Sequence, residues 1–121
     1  MTALSILDRH HLAIMTGDDD ALQVELFGLF NTQAALWQRL FTPLAPLHTW
    51  RDAAHACKGS AKGLGLWRLA EACSVAEELG REGLIEGPDV NDALSTVRAE
   101  LALALDALRE LHAKLSAAND A

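Results

Sequence analysis

Apolar residues recur at steps of three and four along most of the chain, the repeat of one face of a helix. Leu22, Leu26, Leu29, Phe30, Leu36, Trp37 and Leu40 mark out a first long helix, entered through Asp18, Asp19 and Asp20. Carboxylates suit a helix N-terminus, where unpaired amides leave partial positive charge. Thr42, Pro43 and Pro46 end the pattern. A second stripe runs Leu47, Trp50, Ala54, Cys57, Ala61 and Leu64, and Gly63 and Gly65 interrupt it as expected of a helix C-terminus. A third runs Leu66, Leu69, Ala70, Cys73, Ala76 and Leu79, ending near Gly80 and Gly83. After Gly87-Pro88-Asp89 a fourth runs Leu94, Val97, Leu101, Leu105, Leu108, Leu111 and Leu115. The first fifteen residues add a shorter helix at one end, and 117–121 read as a frayed tail.

Each long helix carries one apolar stripe and needs neighbours to cover it, and short connections make consecutive helices antiparallel. The expected fold is therefore all-α: an up-down antiparallel four-helix bundle with a short additional N-terminal helix, one domain over residues 1–121. Tyr is absent and β-branched residues are scattered, which argues against a sheet. Apolar residues make up 50% and charged residues 22%, the balance of a soluble globular chain. The stretch Leu4 to Met15 holds Asp8, Arg9, His10 and His11, so it lacks a signal peptide's apolar run, and nothing else is long enough to span a membrane. Cys57 and Cys73 are too few for a disulfide framework; they read as buried thiols, neighbours in the core, in a reducing cytoplasmic setting.

One segment breaks the helical rules without a packing reason. In Ala54-His55-Ala56-Cys57-Lys58-Gly59-Ser60, Gly59 falls inside a helix at a cost of about 1 kcal/mol relative to Ala. With Ala54 and Cys57 in the buried seam, a helical wheel turns His55 outward, sets Lys58 one turn on beside it, and puts Gly59 directly below. A free imidazole is largely neutral at pH 7, leaving one ring nitrogen as a nucleophile. A group transferred to that nitrogen could bring negative charge, which Lys58 is positioned to meet. Gly59 would let a partner's loop approach the ring.

The string resembles A-H-x-x-K-G-S, the signature of the histidine-containing phosphotransfer (HPt) domain. The likeness continues through Ala61, Leu64, Gly65, Leu69, Ala70 and Cys73, with Glu77 or Glu78 at the family's acidic place. Cys57, Gly63 and Leu66 depart from the pattern at packing or helix-end positions only. The resemblance implies a four-helix bundle and a phosphocarrier with His55 as phosphoacceptor. Its partners would be receiver domains of response regulators or a hybrid histidine kinase. No P-loop, kinase glycine loop or Mg²⁺ carboxylate cluster is visible, so the chain is expected to be no enzyme, with no cofactor of its own and Mg²⁺ supplied by the partner.

Charge refines the picture of the partner. The net charge is −7, which disfavours a nucleic-acid binder. From Leu44 to Ala70, however, Arg51, Lys58, Lys62 and Arg68 oppose only Asp52, a local excess of +3. Arg51, Lys62 and Arg68, with His48 two turns before His55, are thus expected to line a docking surface for an acidic receiver cleft on a monomeric carrier. A hairpin turning at Gly65 sets Val75 opposite His55, with Glu77 within a turn. Glu77 is then either the group that accepts the imidazole Nδ1 hydrogen or a solvated surface glutamate. His10, His11 and His112 read as surface residues, and no metal site is expected.

Two other functions stay open. A non-phosphorylated helical adaptor could dock on or inhibit a kinase or receiver, though it could lose His55, Lys58 and Gly59 freely. The phosphoacceptor hairpin of a histidine kinase ranks last, because Ala56 follows His55 where an acidic residue is usual and no Pro appears until Pro88.

Overall fold

The computed structural model describes residues 5–120, with side chains as far as residue 117. Five helices follow in order: α1 (Arg9–Thr16), α2 (Asp20–Leu40), α3 (Leu47–Leu64), α4 (Trp67–Arg81) and α5 (Pro88–Asp120), with no strand among the described residues. Helices α2 to α5 form the up-down bundle, each packed on two neighbours, and α3 against α4 is the most extensive pairing. The short α1 rests on α2 and α3. Apolar faces of all five elements meet in one core, with Trp50, Phe41, Leu12, Leu66, Leu69, Leu94 and Leu101 fully buried. Helix α5 runs to Asp120, and residue 121 lies outside the described residues.

Helix starts follow side-chain capping. Asp8 accepts from the His11 amide at 3.0 Å and Asp19 from the Leu22 amide at 3.1 Å. Of the acidic run, Asp19 is therefore the cap and Asp20 the first turn. Asp18 instead stands at φ 61°, in the left-handed region that Asp tolerates better than most residues. Pro88 opens α5, where a missing amide hydrogen costs nothing.

The face of α2 differs from the expectation. The buried row is Gln23, Phe27, Phe30, Ala34 and Trp37, continuing to Phe41. Leu22, Leu29 and Leu36 face outward. Two apolar rows run down this helix, and the core takes the aromatic one, which removes more surface from water per residue. Gln23 is accommodated because its amide donates to Thr16 Oγ1 at 3.0 Å, and that hydroxyl donates to the Leu12 carbonyl at 2.8 Å.

Two glycines set the α3–α4 pair. Gly65 ends α3 at φ 80°, and a Cβ there would sit 2.8 Å from the Asp8 carbonyl oxygen. The chain before α1 uses that space. The Asp8 amide donates to the Gly65 carbonyl at 2.8 Å, Trp67 Nε1 donates to Asp8 Oδ2 at 2.9 Å, and His11 Nε2 meets the Lys62 carbonyl at 3.0 Å. His11 is thus a docking residue for α1, packed edge-on against Trp67, and not a free surface histidine. Gly80 does not end α4 but lies within it, where a Cβ would come 3.0 Å from Arg51 Cγ and 3.2 Å from Trp50 Cζ3. The notch lets α3 and α4 approach one turn from His55.

Gly65→Ala is expected to lower the denaturant midpoint by an amount equivalent to more than about 1 kcal/mol, through left-handed strain and the clash with Asp8. Hydrogen exchange should show the loss concentrated in α1. A midpoint at the wild-type value would rule out the close approach as a constraint.

Candidate functional site

His55 stands mid-way along α3, with Ala54 and Cys57 fully buried on the inner face and its own side chain 73% exposed. Directly across, α4 contributes Glu77, whose side chain is only 8% exposed. Its carboxylate collects three cationic or hydrogen-bonding groups. His55 Nδ1 lies 3.2 Å from Oε1 and 3.3 Å from Oε2, Lys58 Nζ 2.9 Å from Oε2, and Arg81 Nη2 3.1 Å from Oε1. Arg81 also holds Glu78 through its other arm. Position 77, rather than 75, faces the imidazole; Val75 is turned to solvent.

Burial pushes the Glu77 carboxyl up, but hydrogen bonds from Lys58 and His55 outweigh it and hold the group below its ordinary value of 4.5. An ionised carboxylate has no proton to give, so the hydrogen shared with the ring belongs to Nδ1. In the neutral ring the lone pair is then on Nε2, on a side chain that is mostly exposed. Gly59 lies in open space, with nothing within 4 Å of where its Cβ would be, so the approach to Nε2 from that side is clear. Arg51, Asp52, His55, Glu77 and Arg81 line a shallow polar hollow.

Of the residues expected to line a docking surface, His48 and Lys62 are exposed, seven positions before and after His55 on the same row. Arg51 lies at the hollow but pairs with Asp52 at 3.5 Å. Arg68 does not join the group: it turns to α5 and donates to Glu100 at 2.8 Å. Nine positions before Glu77, it sits on the opposite side of α4. A count of charges along the chain cannot see partners that other helices supply, and two of the four cations, Lys58 and Arg68, are paired with another helix. Arg68 is thereby directed to α5, while His48, Arg51 and Lys62 stay on the side of α3 that carries His55.

Two features escaped the sequence reading. Arg81 was readable only as a helix-end cation, although its spacing of four from Glu77 is that of a helical ion pair. The second is apolar. A groove of about 370 Å³ runs between α2 and α3, lined by Met15, Leu26, Leu29, Phe30, Gln33, Ser60, Gly63 and Leu64. Met15 and Leu29 are 57% and 58% exposed at its rim. The signal was the absence of any charge from Leu26 to Gln38 on a surface helix. Cys57 and Cys73 are both free and buried; their mutual hydrogen bond and burial push the Cys57 thiol up, keeping it protonated. No group of three or more His, Cys, Asp or Glu able to hold a metal occurs among the described residues, and no described helix is long and apolar enough to cross a membrane.

The family model described as the Hpt domain matches residues 20–118. No curated protein and no solved structure matches the chain significantly.

Because Glu77 sits below its ordinary value, its ion pairs stabilise the fold fully above about pH 4.5 and are lost as pH falls through the folded-state value. Glu77→Gln is therefore expected to flatten the acid limb of stability against pH below about 4.5 while costing stability at pH 7. Chemical denaturation across pH 3 to 7 (roughly the carboxylate range) checks this. An unchanged acid limb would mean the carboxylate contributes nothing in the folded state.

Proposed function

The chain belongs to the Hpt domain family, whose role is histidine phosphotransfer in phosphorelays, and on that premise we propose that His55 is its phosphoacceptor. The phosphoryl group comes from a phosphoaspartate of one receiver domain and passes to another. The observation that carries this reading is the exposed imidazole whose Nδ1 rests on a buried carboxylate, 3.2 Å away, with Lys58 alongside.

The step follows from that arrangement. The Nε2 lone pair forms the N–P bond as the P–O bond to the aspartyl carboxylate breaks, and the carboxylate leaves with the bonding pair. The ring becomes an imidazolium that still carries its Nδ1 hydrogen. Glu77 accepts that hydrogen and stabilises the positive charge, as a buried carboxylate does for a catalytic imidazole elsewhere. Lys58 meets the phosphoryl oxygens. Return transfer reverses each step. The chain is a stoichiometric carrier, not an enzyme with its own ATP site, and the Mg²⁺ that receiver chemistry uses is held by the partner.

Docking in this reading rests on apolar contact more than on charge. The groove beside Ser60 and Gly63 and the open position at Gly59 are on the helix that carries His55, where Lys62 and His48 are exposed and Arg51 lines the hollow at the ring. An apolar helix face of a receiver fits the groove, with its acidic pocket brought over the imidazole. We place the carrier in the cytoplasm as a monomer, where Cys57 and Cys73 stay reduced.

His55→Gln is expected to abolish acid-labile phosphate uptake from a phosphorylated receiver while leaving the bundle folded, at a cost of about 1 kcal/mol for the altered hydrogen bond to Glu77. Gly59→Glu should leave the helix folded and slow transfer by about tenfold or more, by adding bulk and like charge at the approach. Stopped-flow or gel-based transfer assays measure both. Wild-type phosphate uptake in His55→Gln would reject the phosphoacceptor, and a protein that takes up no phosphate from any receiver would be the helical adaptor instead.

A further inference from the structure

Glu77 faces a problem that the proposed reaction creates. In the resting protein Lys58 Nζ sits 2.9 Å from Glu77 Oε2, on the carboxylate and not at the place where a phosphoryl group would arrive. If Lys58 turns its donors to the phosphoryl oxygens, its hold weakens on a carboxylate that is 8% exposed and cannot be resolvated well. An anion is arriving nearby at the same moment. Both changes favour protonation of Glu77, and a protonated Glu77 no longer stabilises the imidazolium.

The remaining contact addresses this. Arg81 Nη2 lies 3.1 Å from Oε1, the oxygen that Lys58 does not use. It reaches Glu77 from four positions along the same helix, and its second arm is fixed on Glu78. The pair is therefore built within α4 and does not depend on the state of α3. Arginine stays charged throughout, and its planar fork can hold two carboxylates at once. The charged groups facing Glu77 are His55 and Lys58 from α3, with Arg51 and Asp52 across the same hollow, and Arg81 with Glu78 from α4.

We propose that Arg81 is a positioning residue for phosphotransfer, the fixed counter-ion that keeps Glu77 ionised and on His55 Nδ1 while Lys58 moves to the phosphoryl group. This rests on His55 being the phosphoacceptor. It assigns the two cations different duties on one carboxylate: Lys58 is exchangeable and Arg81 stays.

The test separates the two states of the site. Phosphoramidate can load the whole protein without any partner: Nε2 bonds to phosphorus as the P–N bond breaks and ammonia leaves. Carbon-13 NMR then follows the Glu77 carboxyl against pH in loaded and unloaded protein, with the phosphorus-31 signal at each pH showing that the acid-labile N–P bond is intact. In Arg81→Ala the unloaded form should shift only slightly, since Lys58 and His55 remain on the carboxylate. The loaded form should have its Glu77 midpoint raised by about one pH unit or more over loaded wild type. Arg81→Lys, which keeps a cation four positions on, should restore it in large part. Because Arg81 is 64% exposed, circular dichroism should show all variants folded. A shift of equal size in both forms, or in neither, would reduce Arg81 to an ordinary surface ion pair and overturn the proposal. Wild-type protein that takes up no phosphate on His55 would overturn the phosphoacceptor reading itself, and this inference with it.

Discussion

A single buried carboxylate organises this bundle at its working end. Glu77 lies between α3 and α4 in contact with His55, Lys58 and Arg81, and its burial is tolerable only because those groups stand around it. The contact requires two helices to approach closely at one level. Gly80 supplies the notch one turn away, and Gly65 the left-handed turn that sends α4 back along α3. The docking of Asp8, His11 and Trp67 over that turn then holds its geometry from outside. Core packing, turn chemistry and the N-terminal helix thus converge on the distance between one imidazole and one carboxylate.

The electrostatics follow from the same contact. Most cations near His55 are occupied within the molecule, which leaves the surrounding surface less basic than the chain's local charge suggests. Beside the exposed Lys62 and His48, much of the remaining surface is apolar: the uncharged outer face of α2 and the groove against Ser60 and Gly63. In the proposed carrier, an apolar platform gives a partner area to bury without fixing it strongly. That suits an exchange in which one partner must leave before the next arrives.

The sequence carried the fold well because three of the four long helices bury the residues their periodicity marks. Cys57 and Cys73 are in the core, and the bounds of α3 match its stripe. It misread α2 because two apolar rows compete there, and only the neighbouring helices decide which is covered. His55, Lys58 and Gly59 stood out because they break local rules on a single helix, where spacing alone fixes relative direction. The partners of Arg68 and His11, and the burial of Glu77, come from other helices. Along the chain Glu77 is one glutamate of an adjacent pair, and nothing local separates it from Glu78. The register between α3 and α4 does so.

In the proposed site the Glu77 carboxylate fixes the Nδ1–H form of the ring and leaves Nε2 as the nucleophile. Nitrogen-15 NMR of the imidazole, before and after loading with phosphate, tests it most directly. With Glu77 in that role, the neutral form of the ring carries its hydrogen on Nδ1, and phosphorus is coupled to Nε2 in the loaded protein. A neutral ring protonated on Nε2, or phosphorus bonded to Nδ1, would contradict it.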